Sequence, residues 1–352
     1  EKNTECKNHE KILRMFAVLM LVVLLLEMIS CEKKQGNDDP AATESSWTDS
    51  NEEVSSATDA VSSENTDENG EILEWPKEFY MELDLINTYS KLVYDKKLTV
   101  AYLGGSVTAG AFASDYSKCW AGLSATWLRG CYPEAQIRTI DAGWGGTGIK
   151  WGCYRLEEEV ISQNADLVFV EFAINDYYDG TNPDDVVAYA ESLIRKLYAN
   201  NHTTEVVFVL VSEKTTHANQ KQREAYLQVA EAYHIPVVDI STALSDYLKS
   251  EHKEWEELIA DVVHPNDTGH TFYAEQVEAV LSEIFQTNSE SIFERTVYHR
   301  PLPEITLSTR DFTGAHLLKA QDIDLTGCNG FQLTNDLNCR FKEYLTGSTG
   351  AE

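Results

Sequence analysis

The stretch TVAYLGGSVTAG, Thr99 to Gly110, runs from an apolar β-like segment into Gly104-Gly105 and then Ser106. Two glycines at a strand end allow a turn too tight for ordinary side chains. Such a turn either just connects a strand to the next helix or holds Ser106 up as a nucleophile. A nucleophilic serine needs a base for its proton, a group that orients the base, and donors for an oxyanion. The choice depends on what the rest of the chain brings to the same place.

Working outward, LTVAYLG, QIRTIDAG, DLVFVEFA, EVVFVLVS and IPVVDI are short runs rich in Val, Ile, Leu and Phe. Nearly continuous apolar runs of this length are how parallel strands covered on both faces read. Between them lie helical stretches at Cys119–Gly130, Trp151–Asn164, Pro183–Asn200, Asn219–Tyr233 and Thr268–Gln286. In the third, Val186, Tyr189, Ala190, Leu193 and Leu197 recur at intervals of three and four, one face of a helix. Pro183 after Asn182 is a natural first helical residue. The alternation predicts an α/β fold of three layers with a central parallel sheet. In such sheets ligands meet the carboxyl ends of the strands, and Ser106 follows the first of them.

Three further segments fall at the same edge. DVVHPNDTGH holds Asp261 and His264 on one short loop before the last helix, with Pro265 biasing His264 to an extended conformation. Taken alone this reads equally as a helix-capping loop. His270 falls inside the helix and reads as structural or solvated. DAGWGGTG, Asp141–Gly148, follows the second strand and is glycine-rich enough for backbone N–H groups to approach a ligand. Asn175 lies just past the third strand, where its amide can donate into the same space; in both segments an Asx turn is the alternative. Neither a Walker lysine nor a suitably placed dinucleotide glycine pattern is present.

Taken together, GGSVTAG, DAGWGGTG, AIND and DVVHPN resemble, in order and spacing, the blocks of SGNH hydrolases, the GDSL esterase/lipase family. The likeness covers about residues 95–288 and implies a flavodoxin-like three-layer fold. Carried over by position, it makes Ser106 the nucleophile, His264 the general base and acid, and Asp261 its orienting carboxylate. The Ser106 N–H, Gly146 N–H and Asn175 side chain would form the oxyanion hole. The family usually has Asp where Gly105 stands here, which removes a polar prop beside the nucleophile. The resemblance implies a serine esterase that needs no cofactor and no metal. Trp120, Trp144, Trp151, Tyr177 and Tyr178, beside the blocks, suggest a sugar-facing cleft, although core packing also accounts for most Trp. The expected substrate is therefore an acylated, most simply acetylated, polysaccharide or another small ester. An acyltransferase acting on a surface glycan would use the same residues, and a carbohydrate-binding lipoprotein without activity is the non-enzymatic alternative.

The chain has 352 residues and a formal charge of −30. From Glu32 to Glu78 there are fourteen Asp/Glu against three Lys, a net of −11. So acidic a chain should not bind nucleic acid or an anionic membrane surface electrostatically. Lys7, Lys11 and Arg14 precede MFAVLMLVVLLL, an apolar run of twelve, too short to span a bilayer and expected to act as a secretory signal. Met28-Ile29-Ser30-Cys31 resembles a bacterial lipobox, with Cys31 as the lipidated residue. The expected organisation is a signal at 1–31, a disordered acidic tether at 32–75, a hydrolase domain at 76–290 and a β-rich C-terminal segment at 291–352. The protein would be secreted and held at the outer face of a bacterial membrane through that lipid anchor alone. The five cysteines beyond Cys31 carry no zinc spacing; Cys119–Cys131 and Cys328–Cys339 can be pairs or free thiols.

Overall fold

The computed structural model describes residues 83–211, 213–214, 219–304, 306–317, 331–335 and 343–347. The expected signal, Cys31, the acidic tether, and the pair Cys328 and Cys339 lie outside them. The elements follow one another as α1 (Ile86–Ser90), β1 (Lys97–Gly104), α2 (Trp120–Cys131), β2 (Gln136–Gly143), α3 (Ile149–Leu156) and β3 (Leu167–Glu171). Then come α4 (Ala173–Tyr178), α5 (Pro183–Asn200), β4 (Glu205–Leu210), α6 (Gln220–Tyr233), β5 (Val237–Asp239), α7 (Ile240–Ser250), α8 (Trp255–Leu258) and α9 (Asp267–Ser291).

Strands β1 to β5 form one parallel sheet in the order β2-β1-β3-β4-β5. Side chains alternate across it with a period of two. Leu98, Val100, Tyr102, Phe169, Val207 and Val209 enter the core shared with α2, α7 and α9. Ala101, Leu103, Val168, Val170, Phe208 and Leu210 enter the other, shared with α3, α5 and α6. Burial on both faces explains why β3 and β4 lack polar alternation, whereas edge strand β2 carries exposed Gln136, Arg138, Thr139 and Asp141. Helix starts follow from local chemistry. Asn182 accepts from the Asp184 N–H ahead of Pro183, and Asn266 accepts from the Gly269 N–H at 3.0 Å to open α9.

The strand order reverses between β1 and β3, so the crevice past their carboxyl ends is the switch point of this sheet. Ser106 follows one of those strands and Asn175 the other.

The first part of the C-terminal segment departs from the expected β pattern. Residues 292–304 and 306–317 form no strand but a strap across the domain. Pro301 and Pro303 remove sheet donors, and side chains of the domain take up others. Glu191 accepts the N–H groups of Leu307 (2.8 Å) and Ser308 (2.9 Å), and Ser192 accepts that of Phe312. The Phe312 ring stacks on Tyr189 at 4.1 Å, and buried Arg300 pairs with buried Glu205 at 3.1 Å. Strand pairing appears further on, in the antiparallel hairpin of β6 (Phe331–Asn335) and β7 (Glu343–Gly347). Cys119, Cys131 and Cys153 are free thiols.

Trp120, expected beside a sugar cleft, is fully buried instead, edge-on to Tyr102 (5.4 Å) and Phe169 (6.0 Å). Emptying that site should cost about 3–5 kcal/mol. Trp120→Ala should accordingly lower the urea midpoint with an unchanged slope, while Trp120→Phe, which also removes a buried indole N–H lacking a partner among the described residues, should lose much less. Equal midpoints for wild type and Trp120→Ala would contradict the packing described.

Candidate active site

The turn after β1 has no room for side chains. A Cβ on Gly104 would lie 2.1 Å from Thr108 Oγ1 and 2.9 Å from the Glu171 carbonyl. One on Gly105 would lie 2.2 Å from Asn175 Oδ1. The Gly105 N–H donates to the Glu171 carbonyl at 3.2 Å, and the Ala109 N–H returns to the Gly105 carbonyl at 3.0 Å. This geometry leaves Ser106 half-buried at the strand's end, and its N–H has no acceptor among the described residues.

The loop before α9 brings the second part. It is closed by an Ile259–Pro265 bridge and by Ala260 N–H to His264 carbonyl at 2.8 Å. The Trp255 indole N–H fixes the Asp261 carbonyl at 2.8 Å. Asp261 Oδ1 accepts the N–H groups of Val263 and His264, each at 2.7 Å. Its Oδ2 lies 2.8 Å from His264 Nδ1, and His264 Nε2 lies 2.8 Å from Ser106 Oγ. A carboxylate can only accept, so Nδ1 carries the imidazole proton and Nε2 is left to accept the serine hydroxyl. Partial burial would raise the Asp261 pKa, but the hydrogen bonds from the His264 ring and the two backbone N–H groups outweigh it and hold it below the usual range.

The remaining residues come from β2 and β3. Asn175 is nearly buried in α4, and its Oδ1 has no partner among the described residues. The glycine turn after β2 is tied to β1 by Trp144 N–H to Gly104 carbonyl at 2.9 Å. Within it Gly146 is exposed and takes φ +68°, a conformation that favours glycine. Sequence reasoning missed a brace at this point. Arg155, fully buried on α3, donates to the carbonyls of Ala142 (2.6 Å) and Gly104 (2.9 Å), with its guanidinium 5.0 Å from the Trp144 ring. It pins the ends of β1 and β2 together.

Residues 102–272 match the model of the GDSL-like lipase/acylhydrolase family. That stretch, just under half of the chain, carries the likeness to this family. Its enzymatic class is that of a carboxylic ester hydrolase. An acetylxylan esterase of Geobacillus stearothermophilus is 27% identical over 195 residues, covering 51% of this chain and 85% of that protein. Among solved structures, a two-domain esterase active on acetylated mannans superposes with a TM-score of 0.63 at 25% identity, over 75% of this chain and 69% of its own. A crystal of such an esterase with mannopentaose gives 0.65 at 24% identity, over 77% and 72%.

Against the family pattern, Gly105 now has a physical reason: Asn175 occupies the space an Asp side chain would need. Two buried carboxyls beneath the site also escaped sequence reasoning. Glu171, fully buried at the end of β3, accepts from Thr108 Oγ1 at 2.9 Å and from the Gly105 N–H at 3.4 Å. Burial pushes it up to about 8 despite those bonds. Asp176 accepts from Tyr226 Oη at 2.6 Å and from the Ile149 N–H at 2.8 Å, the start of α3, and burial pushes it up to about 7. The signal was present, since Glu171 is a charged residue within the otherwise apolar LVFVEFA.

Of the expected aromatic residues, Tyr178 is exposed, its hydroxyl donating to Glu213 Oε2 at 2.7 Å. Trp144, Trp151 and Tyr177 are half-buried. Phe112, which was not among them, is exposed, its ring centroid 5.5 Å from that of His264.

A raised carboxyl pKa means that the folded state holds a proton the unfolded chain has lost. Its contribution is full below the unfolded value near 4.5 and fades as pH rises through about 8 for Glu171. Glu171→Gln mimics the neutral acid, so its urea midpoint should fall less than that of wild type between pH 5 and pH 8.5. Identical falls would mean that Glu171 does not bind its proton more tightly when folded.

Proposed function

We propose that this chain is an extracytoplasmic acetylesterase acting on an acetylated polysaccharide, with Ser106, His264 and Asp261 as its catalytic triad. The observation that carries the reading is the run of two 2.8 Å contacts from Ser106 Oγ through both nitrogens of His264 to Asp261. His264 Nε2 takes the Ser106 proton as Oγ attacks the ester carbonyl, and Asp261 stabilises the resulting imidazolium. Negative charge gathers on the carbonyl oxygen, and the Ser106 N–H, the Asn175 amide and the Gly146 N–H are the donors assigned to receive it. The imidazolium then gives its proton to the departing sugar oxygen. In the second half His264 removes a proton from water, which attacks the acetyl-serine and releases acetate.

The carbohydrate comes from the comparisons, since the relatives that match are named for acetylxylan and acetylated mannans. The location comes from the N-terminal pattern, with Cys31 as the lipidated residue.

A fluorophosphonate probe should label the wild-type protein and leave folded Ser106→Ala unlabelled and orders of magnitude slower in releasing acetate. Adding His264→Ala to that variant should cost little more, because members of one catalytic unit are non-additive. Folded Ser106→Ala with wild-type turnover would remove the triad from the reading.

Asn175→Ala tests the oxyanion donor and should lower kcat by about 10²–10³ with a smaller change in KM. A change confined to KM would reassign Asn175 to substrate binding. Acetyl transferred to an added sugar, in place of free acetate, would make the enzyme an acyltransferase.

A further inference from the structure

The chain between the nucleophile turn and α2 is an arm clamped on both sides of one residue. Before it, the Ala111 carbonyl accepts from His270 Nε2 at 3.1 Å, while His270 Nδ1 accepts the Trp120 N–H at 3.3 Å. This pairing uses the neutral imidazole, and burial keeps the His270 pKa low. After it, Ser114 gives its N–H and hydroxyl to the two carboxylate oxygens of Asp267, each at 2.7 Å, with Lys118 Nζ at 3.2 Å. Both clamps stand on the first turn of α9, which the His264 loop enters.

Between the clamps is Phe112. Its φ is +64°, a left-handed conformation that a bulky side chain adopts only under constraint. The residue remains 60% exposed, so that strain brings little burial in return. The ring lies nearly parallel to the His264 imidazole, 21° between planes at 5.5 Å. Strain that the surrounding structure enforces at such a place points to function. The chemistry says which part of a substrate would meet it. His264 Nε2 delivers its proton to the departing alcohol oxygen, whereas the acyl oxygen faces Asn175 and the Ser106 N–H. A ring stacked beside the imidazole therefore stands on the alcohol side of the ester.

We infer that Phe112 is the platform for the sugar ring of the departing alcohol, its free face meeting the apolar C–H face of the acetylated pyranose. This inference rests on the carbohydrate reading above and adds the residue that selects for it. Stacking on an aromatic face is effective for any flat apolar ring surface, so the platform favours pyranosides over small alkyl alcohols without fixing one sugar.

The test compares acetylated xylo- and manno-oligosaccharides with ethyl acetate, whose alcohol has no ring, by acetate release from the full chain. Phe112→Ala should lose at least tenfold more kcat/KM on the oligosaccharides than on ethyl acetate, mainly through KM, and Phe112→Tyr should restore most of it. Phe112→Gly relieves the positive φ, so it should melt no lower than wild type while showing the same selective loss. Equal losses on both substrates through kcat, with a shifted pH profile, would overturn the platform and leave Phe112 a support for His264. Wild type that cleaves ethyl acetate but no acetylated oligosaccharide would instead overturn the carbohydrate reading itself.

Discussion

The site depends on one close approach, the meeting of three strand ends at Gly104. Its carbonyl accepts from the Trp144 N–H and from Arg155, and in register it pairs with Gly143 on one side and Glu171 on the other. A methyl group there would overlap Thr108 and the Glu171 backbone. The glycines thus let β1 stop in full contact with both neighbours, and Ser106 emerges where donors from β2 and β3 are already present. The oxyanion hole proposed above would need this contact, because donors act on developing charge only if they are in place before the reaction.

Charge is handled differently above and below that point. Above it, Asp261 is partly exposed, saturated with N–H donors and ionised, so it can hold an imidazolium. Below it, Glu171 and Asp176 are buried carboxyls whose pKa values rise because their charge would have no water to solvate it. A full negative charge on Glu171 beneath Ser106 would oppose the oxyanion of the proposed reaction. A Glu171 that keeps its proton still accepts from Thr108 and the Gly105 N–H without adding that field.

The parts legible in the sequence were those set by local pattern. Strands β1, β3 and β4 announced themselves because burial on both faces demands unbroken apolar runs. The placement of the glycine pair, Asn175 and the Asp261–His264 loop at strand ends was legible because turns that close on one sheet edge use few residue types. What escaped is what depends on distant partners. Arg155 sits in a helical pattern that gives no hint that its guanidinium is buried against two carbonyls. Trp120 and Phe112 were opposites in outcome, one buried and one exposed, and hydrophobicity alone cannot separate them. The segment after Ser291 alternates like strands, but Glu191 and Ser192, more than a hundred residues earlier, take its N–H groups and leave it a strap.

The first turn of α9 joins these levels. Asn266 caps it, Asp267 holds Ser114, and His270 holds both Ala111 and the start of α2, while the loop carrying His264 runs straight into it. His264 and the arm bearing Phe112 are thereby referred to one rigid element, although they lie more than 150 residues apart in the chain. A shift of α9 would carry both together, preserving their relation to each other but not to Ser106, which belongs to the sheet. The demanding tolerance is therefore between α9 and β1. Packing of α9 and α2 against the β1 face through Tyr102, Trp120, Tyr273 and Val277 is what holds it.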